Sequence, residues 1–158
     1  MKRRAFAPVL VTLIIIVFAV ALSGTVAPLH GGSLMPVAYA TETQLTKRPG
    51  DTVNFKVKIT NTGTQATGYV VVVKVAEHGT GAWETAAEAD AELAPGEYLH
   101  LELGGLEVTE EMAGKYYDAL FLLLDGESGE TLDEATLERA WYVEEPVVAG
   151  SIVAKWVY

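Results

Sequence analysis

The stretch from Val53 to Thr60 reads VNFKVKIT and decides the class of fold. Every second side chain, beginning with Val53, is apolar, and the positions between carry asparagine, lysine and threonine. Since successive side chains of a β-strand point to opposite faces, this period of two predicts a strand with one face on a core and the other in water. The asparagine and glycine of Asn61-Thr62-Gly63-Thr64 predict a turn directly after it.

Segments of the same kind recur along the chain and alternate with turns rich in glycine, proline and acidic residues. We expect further strands over 69–75, 83–93, 98–103, 115–125, 131–143 and 152–158, with turns at 78–81, 95–97, 104–105 and 126–130. The segment 131–143 is expected either as two pieces or with a helical turn at 132–137. Seven or eight short strands with turns about every 8–12 residues are typical of a sandwich of two antiparallel sheets. The predicted fold class is therefore all-β.

Two of the expected strands are apolar on both faces. They are Val70–Val73 and Ala119–Leu124. An isolated two-sheet sandwich should keep one face of each sheet polar. The second face is therefore covered either by another part of the chain or by a neighbouring subunit in an assembly.

The N-terminal segment has a different character. Lys2, Arg3 and Arg4 precede a run without formal charge that extends from Ala5 to Thr41, and the run is almost wholly apolar from Val9 to Leu22. Residues 6–27 would form a helix of ~33 Å, the thickness of a bilayer core. A basic start followed by such a helix predicts insertion into a membrane with the rest of the chain outside.

Three fates of this helix are open. It is removed with a secretory signal by a cut between Ala40 and Thr41, after the small-x-small run Ala38-Tyr39-Ala40. Alternatively it stays as a membrane anchor, or it becomes the core of a fibre. Proline and glycine at Pro28 and in His30-Gly31-Gly32-Ser33 predict a flexible linker behind it. The expected organisation is a leader and hydrophobic α-helix over 1–27, the linker over 28–42 and one β-sandwich over 43–158.

The third fate is supported by a resemblance. Arg4-Ala5, followed by Phe6-Ala7-Pro8-Val9-Leu10 and an unbroken apolar helix, resembles the N-terminus of archaeal type IV pilins over about 20 residues. The family has a short basic leader and often a Ser-Pro-Val start; here alanine replaces that serine, and Leu10 stands where bacterial pilins carry glutamate. The resemblance implies processing between Ala5 and Phe6. It also implies assembly through the helix, which involves Pro8, Val9, Leu13, Ile16 and Val20.

The exported part resembles a second group of proteins. Pro49-Gly50-Asp51 before the VNFKVKIT strand, the run LAPGE at 93–97 and the run AGKYY at 113–117 resemble immunoglobulin-like cell-surface modules related to bacterial and archaeal adhesion repeats. The resemblance covers about 100 residues. It implies an immunoglobulin-like antiparallel β-sandwich in which Tyr116 or Tyr117 forms a tyrosine corner.

Composition excludes several classes of function. The chain of 158 residues contains no cysteine, so disulfides, thiol nucleophiles and cysteine-based zinc sites are impossible. Beyond Lys2, Arg3 and Arg4, the chain has eight basic and 21 acidic residues, so the net charge of this part is 8 − 21 = −13. A surface this negative repels nucleic acid and anionic lipid, so we expect neither as a partner of the exported part.

No catalytic constellation is visible in the sequence, and we expect no enzyme, cofactor or metal centre. His30, His78 and His100 are far apart, although His100 shares a strand face with Glu102. The acidic stretch 125–130, together with Asp133 and Glu134, would offer oxygen ligands for calcium, but its spacing differs from that of an EF-hand. A solvated hairpin turn is the favoured interpretation. The tryptophans, Trp83, Trp141 and Trp156, are expected mainly in the sheets.

Two functions remain. The favoured one is a structural subunit of an extracellular filament, first held in the membrane and then polymerised with copies of itself through the helix. The alternative is a secreted or membrane-anchored immunoglobulin-like module that binds a polysaccharide or protein at the cell surface. The fate of the helix distinguishes them, because only the filament subunit keeps it after processing at Ala5–Phe6.

Overall fold

The computed structural model describes residues 28–36 and 45–147, which form an all-β protein. Its eight strands are β1 (Gly32–Pro36), β2 (Leu45–Lys47), β3 (Thr52–Asn61), β4 (Thr67–Glu77), β5 (Glu84–Leu93), β6 (Tyr98–Glu107), β7 (Tyr116–Asp125) and β8 (Thr131–Val143). A short 3-10 turn, Glu110–Met112, connects β6 with β7. The expected helix over 6–27, the expected strand over 152–158 and the segment 37–44 lie outside the described residues.

The strands form two sheets. One has five strands in the order β2-β8-β7-β4-β5, and the other has three in the order β1-β3-β6. All pairings are antiparallel except that of β2 with β8, which are parallel. The hairpins β4–β5 and β7–β8 stay within the five-stranded sheet, whereas the other connections cross between the sheets. The buried faces of the two sheets enclose one core. The β-sandwich class predicted from the alternation is confirmed.

The core follows from the period of two in the central strands. Val53, Phe55, Val57 and Ile59 of β3 are all at most 4% exposed, and the residues between them point outward. Phe55 meets Phe121 of β7 and Trp141 of β8 edge to face, with ring centroids 6.1 and 6.2 Å apart. Such aromatic contacts across the two sheets hold them in register.

Residues 32–36, which the sequence analysis placed in a flexible linker, form strand β1 instead. They pair antiparallel with residues 57–61 of β3, and Leu34 is 6% exposed in the core. A side chain on Gly32 would meet Leu123 Cδ2 at 2.5 Å, so only glycine lets β1 approach the other sheet this closely. The glycines and prolines of this segment predicted a linker. The strand gave no period-two pattern, because Leu34 is its one buried side chain.

Two other elements are longer than expected. Strand β6 continues through Gly104 and Gly105, where its pairing with β3 shifts by a bulge between Val53 and Phe55. Strand β8 is one piece over Thr131–Val143, without the helical turn considered for 132–137. It accommodates an irregularity at Arg139, whose φ is 49°. Bulges absorb extra residues without ending a strand, which sequence patterns do not reveal.

Candidate functional surfaces

The residues that the sequence assigns to processing and helix assembly all lie outside the described part of the chain. This applies to Ala5, Phe6, Ala40 and Thr41, and to the helix positions Pro8, Val9, Leu13, Ile16 and Val20. Among residues 28–36 and 45–147 there is no helix long and apolar enough to cross a membrane. The surfaces and clusters that the structure describes therefore belong to the β-sandwich.

The acidic turn after β7 is organised around Asp125, which is 2% exposed. Its Oδ1 accepts hydrogen bonds from the backbone N–H groups of Glu127 (3.0 Å) and Ser128 (2.8 Å) and from Ser128 Oγ (3.0 Å). Its Oδ2 lies 3.0 Å from Nδ1 of His30. The Ser128 backbone N–H is the main reason why the pKa of Asp125 is lowered from its ordinary value, and His30 contributes less. Oδ1 thus stabilises the turn, and Oδ2 connects it to the segment before β1.

Asp133, which the sequence grouped with this turn as a calcium candidate, has a separate structural role. Its Oδ2 accepts the backbone N–H of Leu34 at 2.7 Å, and its Oδ1 accepts that of Glu134 at 2.9 Å. The bond to Leu34 links β8 of the five-stranded sheet to β1. In the two described ranges, no group of three or more histidine, aspartate or glutamate residues is placed to hold a metal ion.

A second histidine–carboxylate pair lies at the opposite end of β7. Nδ1 of His78 is 2.8 Å from Oδ1 of Asp118, and the same oxygen accepts the backbone N–H of Arg139 at 2.7 Å. The Arg139 guanidinium lies 5.4 Å from the centre of the Tyr116 ring. The carboxylate thus holds the loop after β4 and the bulge of β8 in place.

His100 and Glu102 share a face, as expected, but do not pair with each other. Glu102 forms an ion pair with Lys56, which is its direct partner across the β3–β6 ladder. The His100 ring packs edge to face on Tyr98, with centroids 5.8 Å apart. Nζ of Lys58 lies 4.4 Å from the centre of the same tyrosine ring. The aromatic ring, rather than a histidine–carboxylate pair, is thus the centre of this cluster.

We call the solvent side of the small sheet the three-strand outer face. Its members are the residues of β1, β3 and β6 that point away from the core: Ser33, Met35, Lys56, Lys58, Thr60, Tyr98, His100 and Glu102. Two of them project as large apolar groups, since Met35 is 64% and Tyr98 58% exposed. The face combines these groups with lysine ammonium groups in a domain that is otherwise strongly acidic.

We call the solvent side of the large sheet the five-strand outer face. Its centre is aliphatic and consists of Val70, Val72, Leu120, Leu122 and Leu124, paired across β4 and β7 as Val70–Leu124 and Val72–Leu122. These side chains do not belong to the core cluster, which contains the alternate residues of the same strands. Beside them lie acidic side chains, namely Glu88, Asp90 and Glu92 on β5 and Glu134 on β8. The structure thus places the doubly apolar strands at the centre of a sheet face rimmed by carboxylates.

The described strands form two sheets, and none of them makes a third layer over the five-strand outer face. Val72 is 8% exposed, whereas Val70, Leu120, Leu122 and Leu124 remain partly exposed. Residues 28–36 and 45–147 therefore do not bury this face completely. This leaves a segment outside the described ranges or another molecule.

A shallow depression of about 460 Å³ lies near the end of β8, lined among others by Arg48, Glu110, Glu144 and Glu145. Nε of Arg48 and Oε2 of Glu144 are 2.7 Å apart across it. Both side chains are largely in water, at 76% and 42% exposure. Glu144 pairs with the arginine, and Glu110 and Glu145 leave the lining acidic, so the depression does not suit an anionic ligand.

The sequence did not reveal how the two faces are composed. Alternation showed that Lys56, Lys58, Tyr98 and His100 point outward on their own strands. It did not show that β3 and β6 are neighbours in a register that places Lys58 opposite His100. That pairing joins segments about 40 residues apart, and no local pattern signals it.

No family model and no curated protein matches the chain. Among solved structures, it is similar to a β-glucosidase from Listeria innocua in complex with glucose, with 18% identity and a TM-score of 0.50 over 75% of this chain. The match spans only 17% of that enzyme. A second similar structure is a CARDB domain of a Pyrococcus furiosus protein in complex with di-metal ions, with 16% identity, a TM-score of 0.49 and coverage of 77% of this chain and 97% of that domain. At such identity the likeness to the glucosidase concerns the fold alone.

Proposed function

We propose that the chain is a structural, pilin-like subunit of an extracellular filament, assembled through its hydrophobic N-terminal helix, with an immunoglobulin-like sandwich outside. The observation that carries the proposal is strand β1. Its residues, Gly32–Pro36, follow the apolar segment almost directly and are built into the sandwich. The strand order supports the immunoglobulin-like class, because β8-β7-β4 and β3-β6 pair as the G-F-C and B-E strands of that fold do.

The position of β1 bears on the fate of the helix. A signal-type cut between Ala40 and Thr41 would remove β1, together with the buried Leu34 and its hydrogen bond to Asp133. It would also leave the edge of β3 unpaired. Removing a core leucine alone typically costs about 2–5 kcal/mol. A chain whose domain includes residues 32–36 is therefore expected to keep what precedes them.

In the proposed filament, contacts of residues 30–34 with the sandwich would shorten the link between the predicted helix and the domain. Three contacts hold the residues just before and within β1. The Tyr69 hydroxyl donates to the Gly31 carbonyl, His30 pairs with Asp125, and Asp133 accepts the Leu34 N–H. Only a short piece of chain then separates the helix from a fixed point on the sandwich. In a filament this arrangement would give each domain a defined orientation on the helical core.

The mechanism of assembly follows from charge and burial. Cutting between Ala5 and Phe6 removes Lys2, Arg3 and Arg4, the charges that tie the N-terminus to the inner side of the membrane. Released helices leave lipid only by burying their apolar surface against one another. Relative to water this is favourable by ~25 cal/mol per Å², but relative to lipid the gain is small, so extrusion needs a separate motor. The acidic sandwiches then coat the fibre and keep it soluble.

The test uses the full chain in a host that exports it and combines two measurements. Mass spectrometry identifies the first residue of the surface protein, and ultracentrifugation shows whether the protein sediments as polymer. We expect a start at Phe6 and a sedimenting polymer. A start at Thr41 with a monomer would overturn the proposal, and an uncut Met1 with a membrane-bound monomer would indicate a plain anchor.

Two matched variants sharpen this test. Ala5→Leu should block the proposed cut and abolish the polymer, because leucine is a poor residue at a site that needs a small side chain. Ala40→Leu should leave the start at Phe6 and the polymer unchanged. The reverse pattern, in which only Ala40→Leu matters, would favour a secreted module.

The alternative function, an immunoglobulin-like module that binds a polysaccharide or protein, rests on the exposed Tyr98 ring beside Lys58 and His100. Aromatic rings with polar neighbours suit stacking against sugar rings. Tyr98→Ala would abolish retention on a polysaccharide column if this function were correct. For a filament subunit, retention of wild type and variant should be equally low.

A further inference from the structure

We propose that successive subunits also contact each other through their sandwiches, with the five-strand outer face of one copy on the three-strand outer face of the next. This inference rests on the proposed filament and specifies how its outer layer is packed. The partner is a second copy of the same chain. Its recognition uses apolar contact at the centre and opposite charges around it.

The apolar parts of the two faces are complementary in form. One face presents an aliphatic centre formed by Val70, Leu120, Leu122 and Leu124, which lie outside the core cluster and are partly exposed. The other presents Met35 and Tyr98, exposed by 64% and 58%. Projecting methionine and tyrosine side chains on one copy would bury against the aliphatic surface of its neighbour. Methionine adapts readily to such surfaces, and tyrosine contributes large contact area at low entropic cost.

The charges select which faces meet. The five-strand outer face carries the carboxylates of Glu88, Asp90, Glu92 and Glu134 beside its aliphatic centre, with Lys74 as the basic neighbour there and the Arg139 guanidinium at the Tyr116 end. On the three-strand outer face Lys56 is paired with Glu102, so Lys58 supplies the positive charge for a neighbouring copy. Two copies of the acidic face would repel each other, whereas the acidic face and the lysine-bearing face attract. The pairing is therefore head to tail, and a head-to-tail contact that does not close into a ring continues as a filament.

The size of the contact explains why the helix is also needed. With strands about 4.8 Å apart, the three-stranded face measures roughly 15 by 30 Å, a few hundred Å² per partner. Stable complexes commonly bury about 800 Å² per partner. The faces alone would bind weakly, but helices bundled in the fibre core hold the sandwiches at high effective concentration. The contact between the faces would then determine the rotation and the rise from one subunit to the next. The total stability of the filament would come mainly from the helices.

The absence of cysteine from the chain makes a direct test possible. Tyr98→Cys and Leu122→Cys are introduced together into the full-length protein, and the polymer is treated with a short bis-maleimide reagent. We expect a ladder of covalent dimers, trimers and longer species in denaturing gels. Each single variant should give no ladder, and a mixture of the two single variants should give dimers only.

A control pair keeps the aliphatic position and moves the other cysteine to a turn that is outside both faces. Glu127→Cys with Leu122→Cys should give at least about tenfold less cross-linked product. The charge reversal Lys58→Glu should lower the yield of the Tyr98→Cys/Leu122→Cys protein by a similar factor. Adding Glu88→Lys and Glu134→Lys should restore part of it.

The outcomes separate this inference from the filament itself. A sedimenting polymer without a ladder would overturn the face-to-face contact and keep the proposed function. No sedimenting polymer at all would overturn both. Dimers from Leu122→Cys alone would mean that two like faces meet. Cross-linking within one chain between Leu122→Cys and Trp156→Cys would mean that the C-terminal segment covers the face, and either result overturns the proposal.

Discussion

The Tyr69 hydroxyl on β4 donates a hydrogen bond of 2.7 Å to the carbonyl of Gly31, the residue immediately before β1. This bond crosses from one sheet to the segment that leads into the other. Tyr69 is 1% exposed, and its burial raises the pKa of its hydroxyl from the ordinary value. The bond therefore persists over the whole physiological pH range. It is a tyrosine-to-backbone link between the sheets, whereas the tyrosine corner expected at Tyr116 or Tyr117 stays a prediction.

Replacing Tyr69 by phenylalanine tests this link. The ring stays in the core, and the Gly31 carbonyl loses one of its two donors but keeps the Thr62 N–H at 3.1 Å. We therefore expect Tyr69→Phe to lower the free energy of unfolding by about 0.5–1.5 kcal/mol, the worth of one hydrogen bond. Tyr116→Phe is the matched control, because Tyr116 is 38% exposed, and it should change stability by less than about 0.5 kcal/mol. Urea denaturation of both variants compares them. Equal effects would mean that the bond does not hold the segment.

Asn61, at the end of β3, is predicted to be the most sensitive polar residue. It is fully buried, its Nδ2 donates to the carbonyls of Gln65 (2.8 Å) and Leu93 (2.9 Å), and its Oδ1 accepts the Gly63 N–H (2.8 Å). At about 1 kcal/mol for each bond, Asn61→Ala should cost on the order of 3 kcal/mol. The only other asparagine, Asn54, is exposed, and Asn54→Ala should be nearly neutral in the same denaturation experiment.

Asp125 should make the stability of the domain depend on pH in the acid range. Its pKa is lowered in the folded state, chiefly by the Ser128 N–H, so folded protein binds this proton less well than unfolded protein. The resulting stabilisation is complete above the unfolded pKa of about 4 and is lost as pH falls through the folded pKa. Asp125→Asn should be less stable than wild type at neutral pH, and the difference should shrink in acid.

The measurement is the urea midpoint of both proteins from neutral pH down to about pH 3. Asp90→Asn, on the exposed strand β5, serves as the control and should follow the wild-type curve. A constant difference between Asp125→Asn and wild type at every pH would show that the carboxylate contributes no proton linkage.

Much of the sandwich could be predicted from the sequence because its central strands have one buried face. The run VNFKVKIT and the runs at 69–75 and 115–125 gave β3, β4 and β7 nearly within their observed limits. Strand β1 could not be predicted, since its only buried side chain is Leu34 and its support comes from distant residues such as Asp133. Local patterns report on burial in a strand, but not on a single side chain that fills a gap between two sheets.

The candidate surfaces were predictable only in part. The runs Val70–Val73 and Ala119–Leu124 are apolar on both faces, which predicted a second apolar face. In the structure most side chains of that face remain partly exposed. The opposite face was not foreseen, because the neighbours of Tyr98 come from strands far away in sequence. The histidine–carboxylate pairs His30–Asp125 and His78–Asp118 were missed for the same reason, at separations of 95 and 40 residues.

Two adjacent leucines of β7 test the assignment of faces. Leu123 is 0% exposed and packs in the core, whereas Leu122 lies on the five-strand outer face opposite Val72. Leu123→Ala should cost about 2–5 kcal/mol, because it opens a cavity between the sheets. Leu122→Ala removes the same atoms from a partly exposed position and should cost about 1 kcal/mol or less in the isolated subunit.

In the filament the order of importance should be reversed. The cysteine on this face is moved to Val70, so that Tyr98→Cys with Val70→Cys reports the contact. Leu122→Ala removes the centre of the proposed contact and should reduce this cross-linking, although each domain is folded. A Leu123→Ala subunit that still folds should cross-link like the Tyr98→Cys/Val70→Cys protein, because its outer face is unchanged. If Leu122→Ala destabilised the single domain as much as Leu123→Ala, its side chain would belong to a second core. The five-strand outer face would then be unavailable to another copy.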